Sequence, residues 1–182
     1  MTIGRRMGIN MKWCRDHRGM SLVEIILVLA LIGILAGASA TLMGHIRYAN
    51  TKKAVEAIDT ALNKQRVEAM SHSDTPYLYI YALSDGYYMR QLNDEIYTFD
   101  SAKLSSDGVK LCGSSTEIYM ESLGGTKVTG GTFIRIAFKR SGVFDTTVVS
   151  GEKRTNVTDI VIKGSGTYTI HLAEETGKHY VN

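Results

Sequence analysis

One carboxylate stands inside an apolar run. Residues 20–43 read MSLVEIILVLALIGILAGASATLM, with Glu24 as their one charge. An acidic side chain in such a span costs roughly 2.5–3.5 kcal/mol on insertion scales, Asp being the measured case. Something must compensate for it. If the chain is cut after Gly19, Met20 gains an ammonium group four residues before Glu24, a counter-charge that the uncut chain lacks. Cleavage and the buried acid would then explain each other.

Other reactive residue types do not assemble into a catalytic pattern. His72-Ser73-Asp74 holds the residue types of a triad, but sequence neighbours do not create triad geometry, and the stretch reads as a polar turn after a helix. His17, His45, His72, His171 and His179 lack zinc-ligand spacing, Cys112 brings no cluster, and the histidines are expected at the surface. Asn93-Asp94-Glu95 with Asp100 offers oxygen ligands but not the spacing and turn glycine of an EF-hand loop, so a solvated hairpin is expected. There is no phosphate-binding glycine loop followed by lysine, so the energy for any assembly comes from a partner. No enzyme activity, cofactor or metal is expected. Lys139-Arg140 and Lys153-Arg154 lie near predicted hairpin ends, where they would meet DNA phosphates if the loops converge. Two solvated turns are the favoured alternative. Tyr77, Tyr79, Tyr81, Tyr87 and Tyr88 fall in strand-like runs and serve as well for core or cross-strand pairs as for base stacking.

Composition places these residues in context. At 182 residues the chain fits one domain with an N-terminal extension. Residues 1–19 carry Arg5, Arg6, Lys12, Arg15 and Arg18 against Asp16, a net +4, while the whole chain is +3, which leaves −1 for the rest. A nearly neutral remainder argues against nucleic acid as the main partner. A cut after Gly19 would remove Cys14 and leave Cys112 as a lone thiol, expected as a small buried strand residue rather than half of a disulfide.

The apolar run, about 36 Å as a helix, is long enough to span a bilayer. Arg15 and Arg18 before it put the leader on the cytoplasmic side by the positive-inside rule. From residue 50 to 73 the pattern turns amphipathic, with Val55, Ile58, Leu62 and Ala69 at helical spacing. The spacing predicts one helix from about Leu22 to Ser71 with its outer half packed on a head. After Pro76 the period shortens, and strands are expected at 77–82, 87–92, 95–99, 109–112, 116–121, 132–138, 144–149, 159–163, 167–172 and 178–181. Turn signals such as Asp107-Gly108, Gly130-Gly131 and Ser141-Gly142 separate them and predict successive antiparallel pairing. The fold class is α+β: a long N-terminal helix on an antiparallel β-rich head. Two other readings explain part of the N-terminal segment. A secretory signal ending at Ala38-Ser39-Ala40 would carry an overlong apolar core containing Glu24. A plain anchor pairing through Gly33 and Gly37 explains the length but neither Arg18-Gly19 nor Glu24.

Arg18-Gly19-Met20-Ser21-Leu22-Val23-Glu24 and the apolar run behind it resemble the class III signal of type IV prepilins and pseudopilins. The resemblance implies a prepilin peptidase that cuts between Gly19 and Met20 and methylates the Met20 amine. It also implies that Glu24 pairs with the N-terminal amine of a neighbouring subunit during assembly. It divides the chain into a leader (1–19), a transmembrane and assembly half-helix (20–44), an amphipathic half-helix (45–73) and a β-rich head (74–182). The implied partners are other pilin or pseudopilin subunits, the membrane, an assembly platform and, indirectly, its motor ATPase. The implied location is the inner membrane, single-pass with the head outside, and then a surface or periplasmic filament. Met20 stands where phenylalanine is commoner, and Thr41 where many pilins place a helix-kinking proline, which leaves open whether the helix unwinds near Gly33 and Gly37. The layout of the head, with its short final strand after Gly177, resembles the H-type, FimT-like minor pseudopilins. A minor structural subunit follows; the alternative is a membrane-tethered or pilus-tip module that binds DNA or a surface ligand.

Overall fold

The first element, helix α1, runs Leu22–Ser71, matching the span predicted from periodicity. The structure is a computed structural model that describes residues 21–71, 76–121, 125–150 and 153–182, with side chains described except at 39–43, 146–150 and 153–155. The chain divides into two units, Met1–Ala40 and Thr41–Asn182.

In the first unit the described residues belong to Ser21 and the start of α1. Leu, Ile and Val occupy every side of the helix, so no solvent face is written into it. Among the described residues no helix is long and apolar enough to cross a membrane. The apolar stretch with described side chains, residues 22–38, reaches about 25 Å at ~1.5 Å per residue, against a hydrocarbon core of ~30 Å.

In the second unit the remainder of α1 packs on a head of two antiparallel sheets. The strands are β1 (Tyr77–Leu83), β2 (Gly86–Leu92), β3 (Val109–Gly113), β4 (Glu117–Met120), β5 (Thr126–Lys127), β6 (Thr132–Phe138), β7 (Phe144–Ser150), β8 (Lys153–Asn156), β9 (Asp159–Lys163), β10 (Thr167–Ala173) and β11 (Lys178–Val181). Sheet one is ordered β3-β2-β1-β6-β7-β8 and sheet two β11-β10-β9-β4-β5. Adjacent hairpins form as the turn signals predict, but pairing is not wholly successive. β6 adds beside β1, and β9 beside β4, because the chain alternates between the two layers.

Thr51, Ala54, Val55, Ile58, Leu62, Gln65 and Ala69 form the buried stripe of α1. Its apolar members join Leu78 and Ile80 of β1, Ile134 and Ile136 of β6, and Ile160, Ile162 and Ile170 of sheet two in one core. Burying an aliphatic side chain of this size gains about 1.5–3 kcal/mol, so this stripe holds the helix to the head. Gln65, polar and invisible to a hydrophobicity pattern, donates from Nε2 to the carbonyls of Pro76 (2.5 Å) and Ile136 (2.8 Å). β1 is apolar without alternation because both of its faces are covered. Tyr79 and Tyr81 point away from the main core and join Tyr88, Ile96, Leu104 and Phe133 in a second cluster.

That second cluster explains a correction. Residues 95–99 are not a strand but part of the long β2–β3 connection, laid over the outer face of sheet one. Their backbone is satisfied by side chains rather than by a ladder: Ile96 N–H donates to the Tyr79 hydroxyl at 2.8 Å, and that hydroxyl donates to the Asp94 carbonyl at 2.9 Å. The same connection is no solvated hairpin. Ile96 and Leu104 are buried, Asp94 pairs with Lys103 at 2.8 Å, and Glu95 pairs with the buried Arg135. β5 and β8 are strands not expected from the pattern, since Thr126-Lys127 and Lys153-Arg154-Thr155-Asn156 contain no apolar residue to mark a face.

The β10–β11 turn is locked against the β6–β7 turn. Gly177 has φ +61°, and a Cβ there would lie 1.5 Å from the Gly142 carbonyl oxygen, so only glycine fits. Arg66 of α1 donates to the Thr176 carbonyl at 3.2 Å in the same place.

Candidate processing and assembly site

Gly19 and Met20 lie outside the described residues, as does the His72-Ser73-Asp74 stretch; the site can be followed from Ser21 onward. Ser21 is not helical, and its carbonyl accepts the first hydrogen bonds of α1, from Glu24 N–H (2.9 Å) and Ile25 N–H (3.2 Å). Glu24 therefore occupies the first turn. There the helix dipole presents partial positive charge and favours an anion by about 0.3–1 kcal/mol at an exposed site. That offsets only a fraction of the ~2.5–3.5 kcal/mol cost of an acid within an apolar bundle. A further positive partner is needed once the helix is covered.

Every large apolar side chain from Leu22 to Leu35 is exposed in the single chain, from 44% at Val28 to 75% at Leu22. A Cβ built at Gly33 or Gly37 would meet nothing within 4 Å. The surface is far too apolar to remain in water, since soluble chains rarely expose contiguous patches beyond a few hundred Å². It demands lipid or other apolar helices as cover.

The remaining candidates are not brought together. Lys139 and Arg140 sit in the β6–β7 turn, next to the Phe138–Phe144 pair, whereas Lys153 and Arg154 begin β8, opposite Ser150 and Val149 of β7. β7 separates them, about 20 Å of strand at ~3.4 Å per residue. The two basic pairs stand at opposite ends of sheet one and do not converge. His171 and His179 are not free surface histidines. His171 Nδ1 lies 2.7 Å from Asp159 Oδ1 with its ring stacked on Tyr180, and His179 Nε2, its side chain 5% exposed, lies 2.8 Å from Asp59 Oδ1. Both pairs fasten β10 and β11 in place. Cys112 is buried in β3 as expected, and burial pushes its thiol up to about 11. Among the described residues no group of His, Cys, Asp and Glu could hold a metal. A groove of about 570 Å³ beside α1 is floored by Ala57, Ala61, Leu78, Met89 and Val109, and its lining includes no Ser, Cys or His.

What the geometry leaves in place is the exposed apolar start of α1 with Glu24 in its first turn. Residues 14–40 match the model of the prokaryotic N-terminal methylation motif. The matched motif is a prepilin-type signal, which implies membrane anchoring, processing by prepilin peptidase and assembly with other pilin subunits. The methylation motif covers most of the apolar run and the six residues before it, and none of the head. No curated protein and no solved structure matches the chain. The sequence reading placed the helix start at about Leu22 without singling out Ser21 as the residue that begins it. Its signal was available, because Ser21-Leu22-Val23-Glu24 is the Ser-x-x-Glu pattern of a helix start placed before an apolar run.

Proposed function

We propose that this chain is a minor, non-enzymatic structural subunit of a type IV pilus or a related pseudopilus. The observation that carries the reading is the methylation motif lying on a helix whose apolar side chains are exposed on every side. Prepilin peptidase cuts between Gly19 and Met20 and methylates the Met20 amine. The anchored precursor is single-pass, with its leader in the cytoplasm and its head outside, and waits in the bilayer until an assembly platform and motor ATPase extract it. The helices of neighbouring subunits then cover one another. A Met20 ammonium from one subunit answers the Glu24 carboxylate of the next, a pairing that the first-turn position of Glu24 supports. Two antiparallel sheets behind the helix and a short final strand support a place beside the H-type, FimT-like minor pseudopilins.

The test is the N-terminus of the protein recovered from membranes. Intact mass and N-terminal sequencing should give a chain beginning at methylated Met20. A chain beginning at Met1 or at Thr41 would overturn the proposal.

A further inference from the structure

Soon after the apolar run, α1 carries Arg47, Lys52 and Lys53, all exposed. At 3.6 residues per turn, Lys52 and Lys53 stand about 140° and 240° round the helix from Arg47. The three cations therefore form a ring rather than a stripe. They spread over about 9 Å of helix axis, close to the depth of one headgroup layer of a bilayer, about 5–8 Å. Among them Ile46 and Tyr48 are 55% and 49% exposed, an apolar and an amphipathic side chain of the kind that anchors at a membrane interface. The head adds to the ring. Its β9–β10 and β3–β4 turns close on α1 at Thr51, since a Cβ at Gly164 would overlap Thr51 Oγ1 and lie 3.2 Å from Thr116 Oγ1. Thr51 in turn donates to the Arg47 carbonyl at 2.9 Å, and Tyr48 hydrogen-bonds to Tyr168 of β10. Lys163, exposed beside Gly164, lies over the Tyr119 ring at 4.5 Å. The acids at this end are already answered: Glu56 by Lys52 at 3.8 Å, Glu117 by Lys127 at 2.5 Å and Asp85 by Lys110 at 2.5 Å. Among the described residues Arg47, Lys53 and Lys163 have no carboxylate in ion-pair range. The other end of the head is balanced, with Lys139, Arg140 and Lys178 beside Asp145, Glu174 and Glu175.

We propose that this cationic collar docks the head on an anionic phospholipid surface while the chain is anchored. The inference rests on the membrane anchoring that the methylation motif implies. A plane of lipid phosphates crossed by a helix presents negative charge to every side of that helix at one depth, which is how Arg47, Lys52 and Lys53 are arranged. A nucleic-acid backbone or the face of a single partner protein would reach the helix from one side and would call for a stripe. Lys163 widens the collar on the side of sheet two. Each Lys or Arg close to an anionic membrane surface strengthens association about fivefold at moderate salt, and the attraction fades within a Debye length.

The experiment reconstitutes the full-length chain into vesicles of phosphatidylcholine alone and of phosphatidylcholine mixed with phosphatidylglycerol. Lysines are labelled with an uncharged amine reagent, and the rate at each is read by peptide mass spectrometry. Lys53 and Lys163 should be labelled at least about fivefold more slowly in the anionic vesicles at low salt, and high salt should abolish the difference. Lys139 and Lys178, at the other end of the head, should be labelled alike in both vesicles and report that the head is folded. In an Arg47→Gln, Lys53→Gln chain, whose changes fall on exposed side chains, the protection of Lys163 should be lost. Equal labelling of Lys163 in the two vesicles would overturn the inference and leave the anchoring standing. So would protection that survives high salt or the double substitution. Protection of Lys163 by duplex DNA or inorganic phosphate over phosphatidylcholine vesicles would also overturn it, in favour of a general polyanion site. A chain that alkaline carbonate washes from both vesicles would remove the anchoring and the inference together.

Discussion

Replacing Gly177 by alanine tests whether the head is built as described. Gly177 combines a left-handed φ of +61° with a Cβ position 1.5 Å from the Gly142 carbonyl oxygen and 2.7 Å from its carbon. The backbone conformation alone costs an L-residue about 1–2 kcal/mol. The clash is with backbone, so no side chain can swing aside. The two turns would have to separate by roughly 1.5 Å to reach the 3.0 Å that real Cβ atoms tolerate. Separation weakens the Arg66–Thr176 hydrogen bond and the His179–Asp59 contact, each worth on the order of 1 kcal/mol. The sum is at most about 3–4 kcal/mol, or on the order of 10–15 °C in melting temperature for a head of this size. Gly142→Ala is the matched control. Its φ is +76°, but the nearest atom to its Cβ is Met70 Sδ at 3.4 Å, on a flexible side chain, so only the conformational cost of about 1–2 kcal/mol applies. Gly130 has neither a positive φ nor a neighbour within 4 Å, and Gly130→Ala should lie within about 0.5 kcal/mol of the unaltered chain. Thermal and urea unfolding of the three variants, followed by far-ultraviolet circular dichroism, should rank them in that order. Gly177→Ala melting alongside Gly142→Ala would refute the packing of the two turns.

Glu24→Ala should be cut and methylated normally yet enter filaments poorly, seen as a fall in the sheared filament fraction at unchanged membrane level. Normal assembly would remove the role given to that charge. In a Cys14→Ser chain, Cys112 should react with a thiol reagent at pH 8 roughly 100-fold more slowly than a free thiol, since its value sits near 11 rather than 9. Denaturant should restore the rate. Because the folded value is the higher one, the unfolded chain ionises first, so this group lowers stability as pH rises from 9 toward 11 and has no effect below. The buried Tyr79 hydroxyl, pushed up to about 12, acts in the same direction at higher pH. Arg135→Ala should cost about 2–3 kcal/mol, because the guanidinium is buried beneath the rings of Tyr77 and Tyr97 and pairs with Glu95. Limited proteolysis should then cut within residues 93–108 first; cutting elsewhere would separate Arg135 from the hold on that segment.

The long helix and most strands were legible because their physics is local. Apolar residues at helical spacing wrote the buried stripe Val55, Ile58, Leu62 and Ala69, and turn glycines marked the hairpins. What was not legible depends on partners distant in the chain. Residues 95–99 have strand-like composition, yet the Tyr79 hydroxyl occupies the Ile96 N–H that a ladder would need. His171 and His179 read as surface residues until the fold brings Asp159 and Asp59 to them. The pairing of β1 with β6 and of β4 with β9 follows from closing two layers over one helix, which no turn signal encodes. The site lies at the opposite extreme. Gly19, Met20 and Glu24 are proposed from one apolar run and its flank alone, because a charge in apolar surroundings has few explanations. The basic loops looked like a candidate only while their positions along β7 were unknown.

The most direct test of the account is the identity of the first residue in the membrane-derived protein, read by intact mass together with N-terminal sequencing. The account predicts a single chain starting at Met20 and carrying one methyl group on its amine, with residues 1–19 absent. A chain that begins at Met1, or one released at Thr41, would contradict it.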